Sequence, residues 1–380
     1  VTVEEVQGGP PVKLQGEAGA RAARWLLFHV QEQGFFSYAI LGKEEWETVL
    51  LERGFAEEEG ILETARSDAA GAMLVVALRY APDVEPEPAA GRAARGLPPL
   101  PLPGAGKPVA KVGRFARGNW YREVIDRLAT SAKATATDMV AVGLPFFPPK
   151  RWHRFANSRF PEKALAVAAG LGATGRNGLV IAEASGTGGQ ARGSAAGGGL
   201  PSGGVIRAYF HSSARSSAVL LGLMLLPFDL EQAIIPPRHS PQAMLSLCGN
   251  CRRCVDACPS RALHFAPEPA SWRASGRVFE RRRCIQHYAS ISGPLPDFIE
   301  ASWQNQLYGC DLCLEACPYF RPDPDAHVSS GHIGGLFDAK VIAGMEDTQL
   351  RALFRGSALD QRWIEPEALR RDATLAVKNC

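Results

Sequence analysis

An α/β (α+β) architecture is the expectation from this chain: an N-terminal α/β sandwich, then a smaller cysteine-rich module. Three observations carry it. Helix-period segments and short apolar strand-like runs alternate through roughly the first 235 residues, as in mixed helix and sheet domains. Eight of the nine cysteines fall between Cys248 and Cys317. Two short helix-forming segments close the chain. At 380 residues the length implies two or three domains. With 46% hydrophobic and 21% charged residues, the composition is that of a soluble globular protein. The formal charge of +3 is too small to imply nucleic-acid binding by itself.

The elements follow in chain order. Arg21 to Gln31 places Ala22, Trp25, Leu26 and Val30 near one face at helical spacing, and Gly34 ends the pattern. Ala72 to Tyr80 is short, apolar and rich in β-formers, which predicts a buried strand. Residues 82–110, with LPPLPLPGAGKP, carry too much Pro and Gly for a regular helix or ladder and are expected to be loop. Trp120 to Ala134 is helix-like, and Glu162 to Ala169 is a strong helix former ended by Gly170. Gly178 to Ala182 and Val205 to Phe210 are expected to pair as antiparallel strands around the glycine-rich excursion 183–204. That excursion contains GTGGQA from Gly186, which lacks the following helix and the later acidic residue of a dinucleotide-binding loop. Ala218 to Phe228 is about half the length of a membrane span and reads as buried core. Thr348 to Phe354 and Glu367 to Val377 are predicted helices. The expected domains are therefore 1–235, 236–325 and a C-terminal helical segment, 326–380.

The cysteines carry the chemistry. Cys248, Cys251, Cys254 and Cys258, followed by Pro259, have the CxxCxxCxxxCP spacing of a bacterial two-cluster ferredoxin. Cys284 and then Cys310, Cys313 and Cys317, followed by Pro318, complete a second set. In such a module three thiolates hold one cubane and the fourth reaches across to the other. The expected crossing puts Cys248, Cys251, Cys254 and Cys317 on one [4Fe–4S] cluster, and Cys258, Cys284, Cys310 and Cys313 on the second. Zinc sites instead place two close pairs well apart, and disulfide frameworks belong to short secreted chains. The acidic, Gly-Pro-rich start lacks the ordered regions of a secretory signal, so a reducing, cytoplasmic setting is expected. Cys380 lies outside both sets and is expected to be incidental.

With these residues in place, the chain from about Gly34 to Asn379 resembles the epoxyqueuosine reductase family. The resemblance rests on RFARGNWY (Arg114 to Tyr121), AAGLGATGRNGLVI (Ala168 to Ile181), both cysteine sets, YGCDLCLEACP (Tyr308 to Pro318), FRGSALDQRW, and RRDATLAVKN. It implies a cobalamin-dependent iron–sulfur reductase that reduces the epoxide of epoxyqueuosine in tRNA to queuosine. It further implies two [4Fe–4S] clusters, and a base-off cobalamin seated between the N-terminal domain and the ferredoxin-like module. Tyr121, Asn157, Gly175, Arg176, Asn177 and His287 are the positions it assigns to the corrinoid. The implied partners are tRNA and a low-potential donor such as ferredoxin or flavodoxin. A monomer without membrane attachment is expected.

The chain also departs from the family. Where the family has an aspartate proton donor in a segment like FVDSxPxxER, this chain has Phe155-Ala156-Asn157-Ser158, and the following Glu162 is one residue closer. An amide donates a hydrogen bond but does not deliver a proton as a carboxylic acid does. The family's GKN is Gly175-Arg176-Asn177 here, and CISYLT is replaced by Cys284-Ile285-Gln286-His287-Tyr288-Ala289. Alternative acids near the motifs are His153, Tyr121, His287 and Tyr288, while Glu162 is expected to begin a helix, where a carboxylate favours the dipole. Arg252, Arg253 and Arg281 to Arg283 are cations for RNA phosphate, for an acidic donor, or for tuning cluster potential. Besides the family's reaction, two readings stay open: a corrinoid reductase of another substrate, similar to reductive dehalogenases, and a non-enzymatic electron carrier.

Overall fold

The computed structural model describes residues 12–14, 16–52, 71–158, 160–185, 214–230, 247–265 and 277–379. The chain divides into two compact units that interleave in sequence: one takes residues up to 79, 124–174 and 180–244, and the other takes 80–123, 175–179 and 245–380.

In the first unit, largely apolar segments build a four-stranded antiparallel sheet in the order Ser37–Gly42, Ala72–Arg79, Val219–Leu226, Arg154–Ala156. Ala72–Arg79 lies in the interior of this sheet and is buried from Ala72 to Leu78, which is why its sequence is continuously apolar and not alternating. The segment read as core at 218–228 supplies its neighbour, buried from Gly222 onward. One face packs Met73, Val75, Ala77, Leu223 and Leu225 with Trp46 and Leu50 of the helix Lys43–Glu52 and Leu165 and Ala166 of the helix Glu162–Ala168. Gly222 keeps the sheet open to close approach: a Cβ there would meet Val124 Cγ1 at 2.4 Å and Val76 Cγ2 at 3.1 Å. The helix Gly16–Glu32 buries Ala22, Ala23, Leu26, Leu27 and Val30, while Trp25, expected on that face, is only partly covered. The helix that begins at Trp120 runs on to Ala141.

A smaller antiparallel sheet joins Gly172–Thr174, Val180–Glu183 and Arg215–Ser216. The strand expected at 205–210, its pairing, the GTGGQA stretch and Cys380 lie outside the described residues.

In the second unit, Val109–Val112 is flanked by Gln306–Tyr308 in parallel and Leu336–Asp338 in antiparallel register. The loop expected over 82–110 is therefore corrected at two places. Ala89–Ala94 is helical, because Pro88 sits just before an alanine-rich turn where its missing N–H costs nothing, and the end of the segment enters the sheet. The C-terminal helices form as predicted, at Asp347–Phe354 with a Glu346/Gln349 capping box and at Pro366–Lys378 with proline in its first turn. Among the described residues, no helix is long and apolar enough to cross a membrane.

Candidate functional site

Each cysteine set is wound by tight turns. Cys251 N–H bonds the Cys248 carbonyl at 2.8 Å, the short helix Arg253–Asp256 follows, and Cys258 N–H closes on Val255 at 3.2 Å. Cys284 caps the turn Ile285–Tyr288, and Asp311 caps Leu312–Glu315, so that Cys317 N–H reaches the Leu314 carbonyl at 3.0 Å. Burial pushes the Cys254 thiol up to about 11, and the neighbours that raise it further are Cys248, Cys317 and Cys251. Burial pushes Cys310 up to about 12, with Cys284 and Cys258 among its neighbours. Cys313, also raised chiefly by burial, feels Cys310, Cys284 and Cys258 more strongly than Cys254. The thiols therefore group as 248, 251, 254 with 317, and 284, 310, 313 with 258. Crowded, buried thiolates are unfavourable without cationic iron to neutralise them. Among the described residues, no three His, Cys, Asp or Glu side chains close on a single metal ion. A cubane makes no such demand, since each of its thiolates binds a different iron.

The RFARGNWY segment is built onto the second cysteine set. Arg114 N–H donates to Asp311 Oδ2 at 2.5 Å, and Arg114 Nε to Glu315 Oε1 at 3.0 Å. Gly309, at φ +86°, permits the contact: a Cβ there would lie 2.9 Å from the Phe115 ring and 3.2 Å from the Gly113 Cα. Tyr121 is buried and meets Phe115 edge-on at 6.5 Å, and Phe115 lies 6.0 Å from Tyr308. Burial pushes the Tyr308 hydroxyl up to about 12, against hydrogen bonds from Trp363 and Gln286. Sequence reasoning missed the Arg114–Asp311 contact. Its available signal was an acidic residue between two cysteines.

The Gly175-Arg176-Asn177 turn reaches the first cysteine set. Arg176 N–H lies 3.4 Å from Cys248 Sγ, and the Arg176 guanidinium donates to the Gly249 carbonyl. Gly175 N–H to Leu179 O at 2.8 Å and Gly178 N–H to Gly175 O at 3.0 Å close the turn, with Gly178 at φ +78°. Asn177 is buried, its Oδ1 accepts from Leu179 N–H at 3.2 Å, and its Nδ2 has no partner among the described residues.

Asn157 belongs to the first unit and is exposed at φ +53°, a left-handed conformation that asparagine tolerates. Its turn is held by Glu162, whose Oε1 accepts from Ser158 N–H at 2.9 Å and Ser158 Oγ at 3.0 Å. Burial pushes the Glu162 carboxyl up to about 7, against the pull of hydrogen bonds from Ser158 and Asn157 and the charge of Lys163. The helix starts at this residue as expected, yet its carboxylate clasps the preceding turn.

The His287 ring meets that of Tyr288 at a 60° tilt with centroids 4.9 Å apart, and burial, then Arg281 and Arg282, hold its pKa below the ordinary value. It is therefore a poor reservoir of protons at neutral pH. Tyr288 donates to the Arg282 carbonyl at 2.8 Å, and the His153 carbonyl bonds Leu225 N–H at 2.8 Å. Of the three adjacent arginines, Arg283 lies over the Phe298 ring at 4.7 Å and donates to Ser260 O, whereas Arg281 and Arg282 are exposed.

Residues 247–319 match the family described as a 4Fe-4S double cluster binding domain. An epoxyqueuosine reductase of Gloeobacter violaceus is 28% identical over 300 residues, 73% of this chain and 71% of that protein. One from Lactococcus garvieae is 25% identical over 224 residues, 56% of this chain. The chain matches only 49% of that Lactococcus protein's length. The epoxyqueuosine reductase structure from Streptococcus thermophilus superposes with a TM-score of 0.56 at 18% identity, covering 93% of this chain and 80% of that one. Another, of an epoxyqueuosine reductase with an epoxyqueuosine-modified tRNA-Tyr stem loop, gives 0.55 at 17% identity, over 95% and 82%. At these identities the structural likeness concerns the fold.

Proposed function

We propose that this chain, which belongs with the epoxyqueuosine reductases by sequence and fold, is a cobalamin-dependent iron–sulfur reductase acting on epoxyqueuosine in tRNA. The observation that carries the reading is the thiol grouping of two interleaved cysteine sets, against which both the Arg114 and the Arg176 motifs are built. A bare electron carrier needs neither motif. The eight cysteines are the proposed cluster ligands.

Asn177 supports the corrinoid assignment, since its buried Nδ2 is a donor held ready on a rigid turn and left for a cofactor. Bound cobalamin would supply a strongly reducing cobalt, charged by single electrons from the clusters. Reducing an epoxide to an alkene takes two electrons and two protons and releases the oxygen as water. Asn157 offers only an N–H to the leaving oxygen. Glu162, holding the Asn157 turn and titrating near neutral pH, keeps exchangeable proton capacity next to it. Exposed Arg281 and Arg282 suit the phosphates of a tRNA.

The test is anaerobic reconstitution with iron, sulfide and cobalamin, then reduction in the presence of epoxyqueuosine-containing tRNA. Conversion of the modified base, read by mass spectrometry of digested nucleosides, is the expected result. Full cluster loading with no corrinoid uptake by absorption spectrum would falsify the reading.

A further inference from the structure

The contact between Arg176 and Cys248 joins two motifs 72 residues apart, and its chemistry is specific. A backbone N–H pointed at a thiolate sulfur withdraws charge from it, and hydrogen bonds to the sulfurs are among the determinants of cluster potential. The N–H here is held in direction by the closed 175–179 turn. The side chain of the same residue grips the Gly249 carbonyl, so Arg176 holds the first ligand from both ends of one residue. Its guanidinium also brings a permanent positive charge to the residue next to Cys248. In the other group, Cys258 receives an N–H from Ala262 at 3.2 Å, inside its own cysteine set. Cys248 is instead gripped from the turn that carries Asn177.

We infer that Arg176 is a positioning residue that raises the reduction potential of the cluster on Cys248, Cys251, Cys254 and Cys317. This rests on the two-cluster part of the proposed function and on none of its substrate. The step concerned is a one-electron reduction, [4Fe–4S]2+ to [4Fe–4S]1+, by a low-potential donor protein or dithionite, with no bond made or broken. Both the N–H···S bond and the guanidinium charge stabilise the more negative, reduced cluster; a side-chain substitution keeps the backbone N–H and alters the charge and the Gly249 clasp that helps to aim it. Lysine, the residue in the resembled motif, keeps the charge but lacks the planar fork that fixes the Gly249 carbonyl.

The experiment is an anaerobic potentiometric titration of the full chain holding both clusters, followed by electron paramagnetic resonance, for wild type, Arg176→Gln and Arg176→Lys. Arg176→Gln is expected to make reduction of one cluster roughly tenfold less favourable, a downward shift of about 59 mV for a one-electron couple. The other midpoint should stay in place, and Arg176→Lys should shift the first by a smaller amount in the same direction. Two fully loaded clusters with both midpoints at wild-type values in Arg176→Gln overturn the inference. If Arg176→Gln fails to hold both clusters, Arg176→Lys decides: a downward shift of one midpoint supports the role, and unmoved midpoints overturn it. Wild-type protein that takes up fewer than two clusters refutes the two-cluster reading itself, which separates that failure from this one.

Discussion

Glu162 is the residue at which position and titration conflict. As the first residue of its helix, it should favour the ionised form through the helix dipole, and it accepts three hydrogen bonds that pull the same way. Burial outweighs both and raises its pKa from 4.5 to about 7. A carboxyl raised on folding holds a proton in the folded state that the unfolded chain has released. Its contribution to stability is therefore complete below about pH 4.5 and is lost as pH rises to about 7. The size is roughly 3 kcal/mol, at 1.36 kcal/mol per pKa unit. Glu162→Gln keeps an oxygen to accept from Ser158 but cannot ionise. Its thermal unfolding midpoint should be close to wild type at pH 5 and rise above it by pH 8. Parallel pH curves for the two proteins would sink the assignment of this proton to Glu162.

At the scale of elements, the last helix is fixed by a pair that periodicity alone passes over. Pro366–Lys378 faces the core with Ala368, Leu369, Ala373, Leu375 and Ala376, and Asp372 lies among them, fully buried. Arg371 pairs with it at 2.7 Å and spends its remaining donors on the carbonyls of Tyr288, Ile291 and Gly293, with its guanidinium 5.5 Å from the Trp303 ring centroid. One side chain thus pins the helix to the segment that follows Cys284. Burial pushes the Asp372 carboxyl well above the usual range against the pull of Arg371. Removing Arg371 therefore takes away the one cation that favours its ionised form and leaves a buried acid without its partner, at a cost of about 3–5 kcal/mol. Arg371→Ala should lower the unfolding midpoint sharply, and Arg371→Met with Asp372→Leu should recover most of the loss. A double variant no better than the single would argue against the charge as the cause. The same contrast explains what the sequence made legible. The helices were readable because burial of one face writes a period into apolar residues, and the central strand because burial on both faces leaves a continuous apolar run. Arg114 with Asp311, Arg176 with Cys248, and the Glu162 clasp depend on contacts between distant segments or on burial against hydrogen bonding, neither of which leaves a local period. The helix at Ala89–Ala94 was hidden by the prolines around it, which bound that helix and do not interrupt it.

Across the whole molecule the order of the cysteines in the chain and their grouping in space disagree, and that disagreement is testable. Chain order alone would give one cluster to Cys248 through Cys258 and a second to Cys284 through Cys317. The spatial grouping exchanges the last member of each set: Cys317 stands with Cys254, and Cys258 with Cys310 and Cys313. Such crossing makes each cluster a staple between two segments, so that neither set folds around its iron alone. The exchanged pair is the informative one to substitute. A loaded chain should carry about eight irons, and either Cys317→Ala or Cys258→Ala should reduce that towards four. Which cluster survives decides between the two arrangements. Under the crossed arrangement, Cys317→Ala loses the cluster whose midpoint responds to Arg176, because its ligand Cys248 is the one that Arg176 holds. Cys258→Ala keeps that cluster. Potentiometric titration of each single variant, with and without Arg176→Gln, reads this directly. An Arg176-sensitive signal that persists in Cys317→Ala and vanishes in Cys258→Ala would establish the uncrossed arrangement instead.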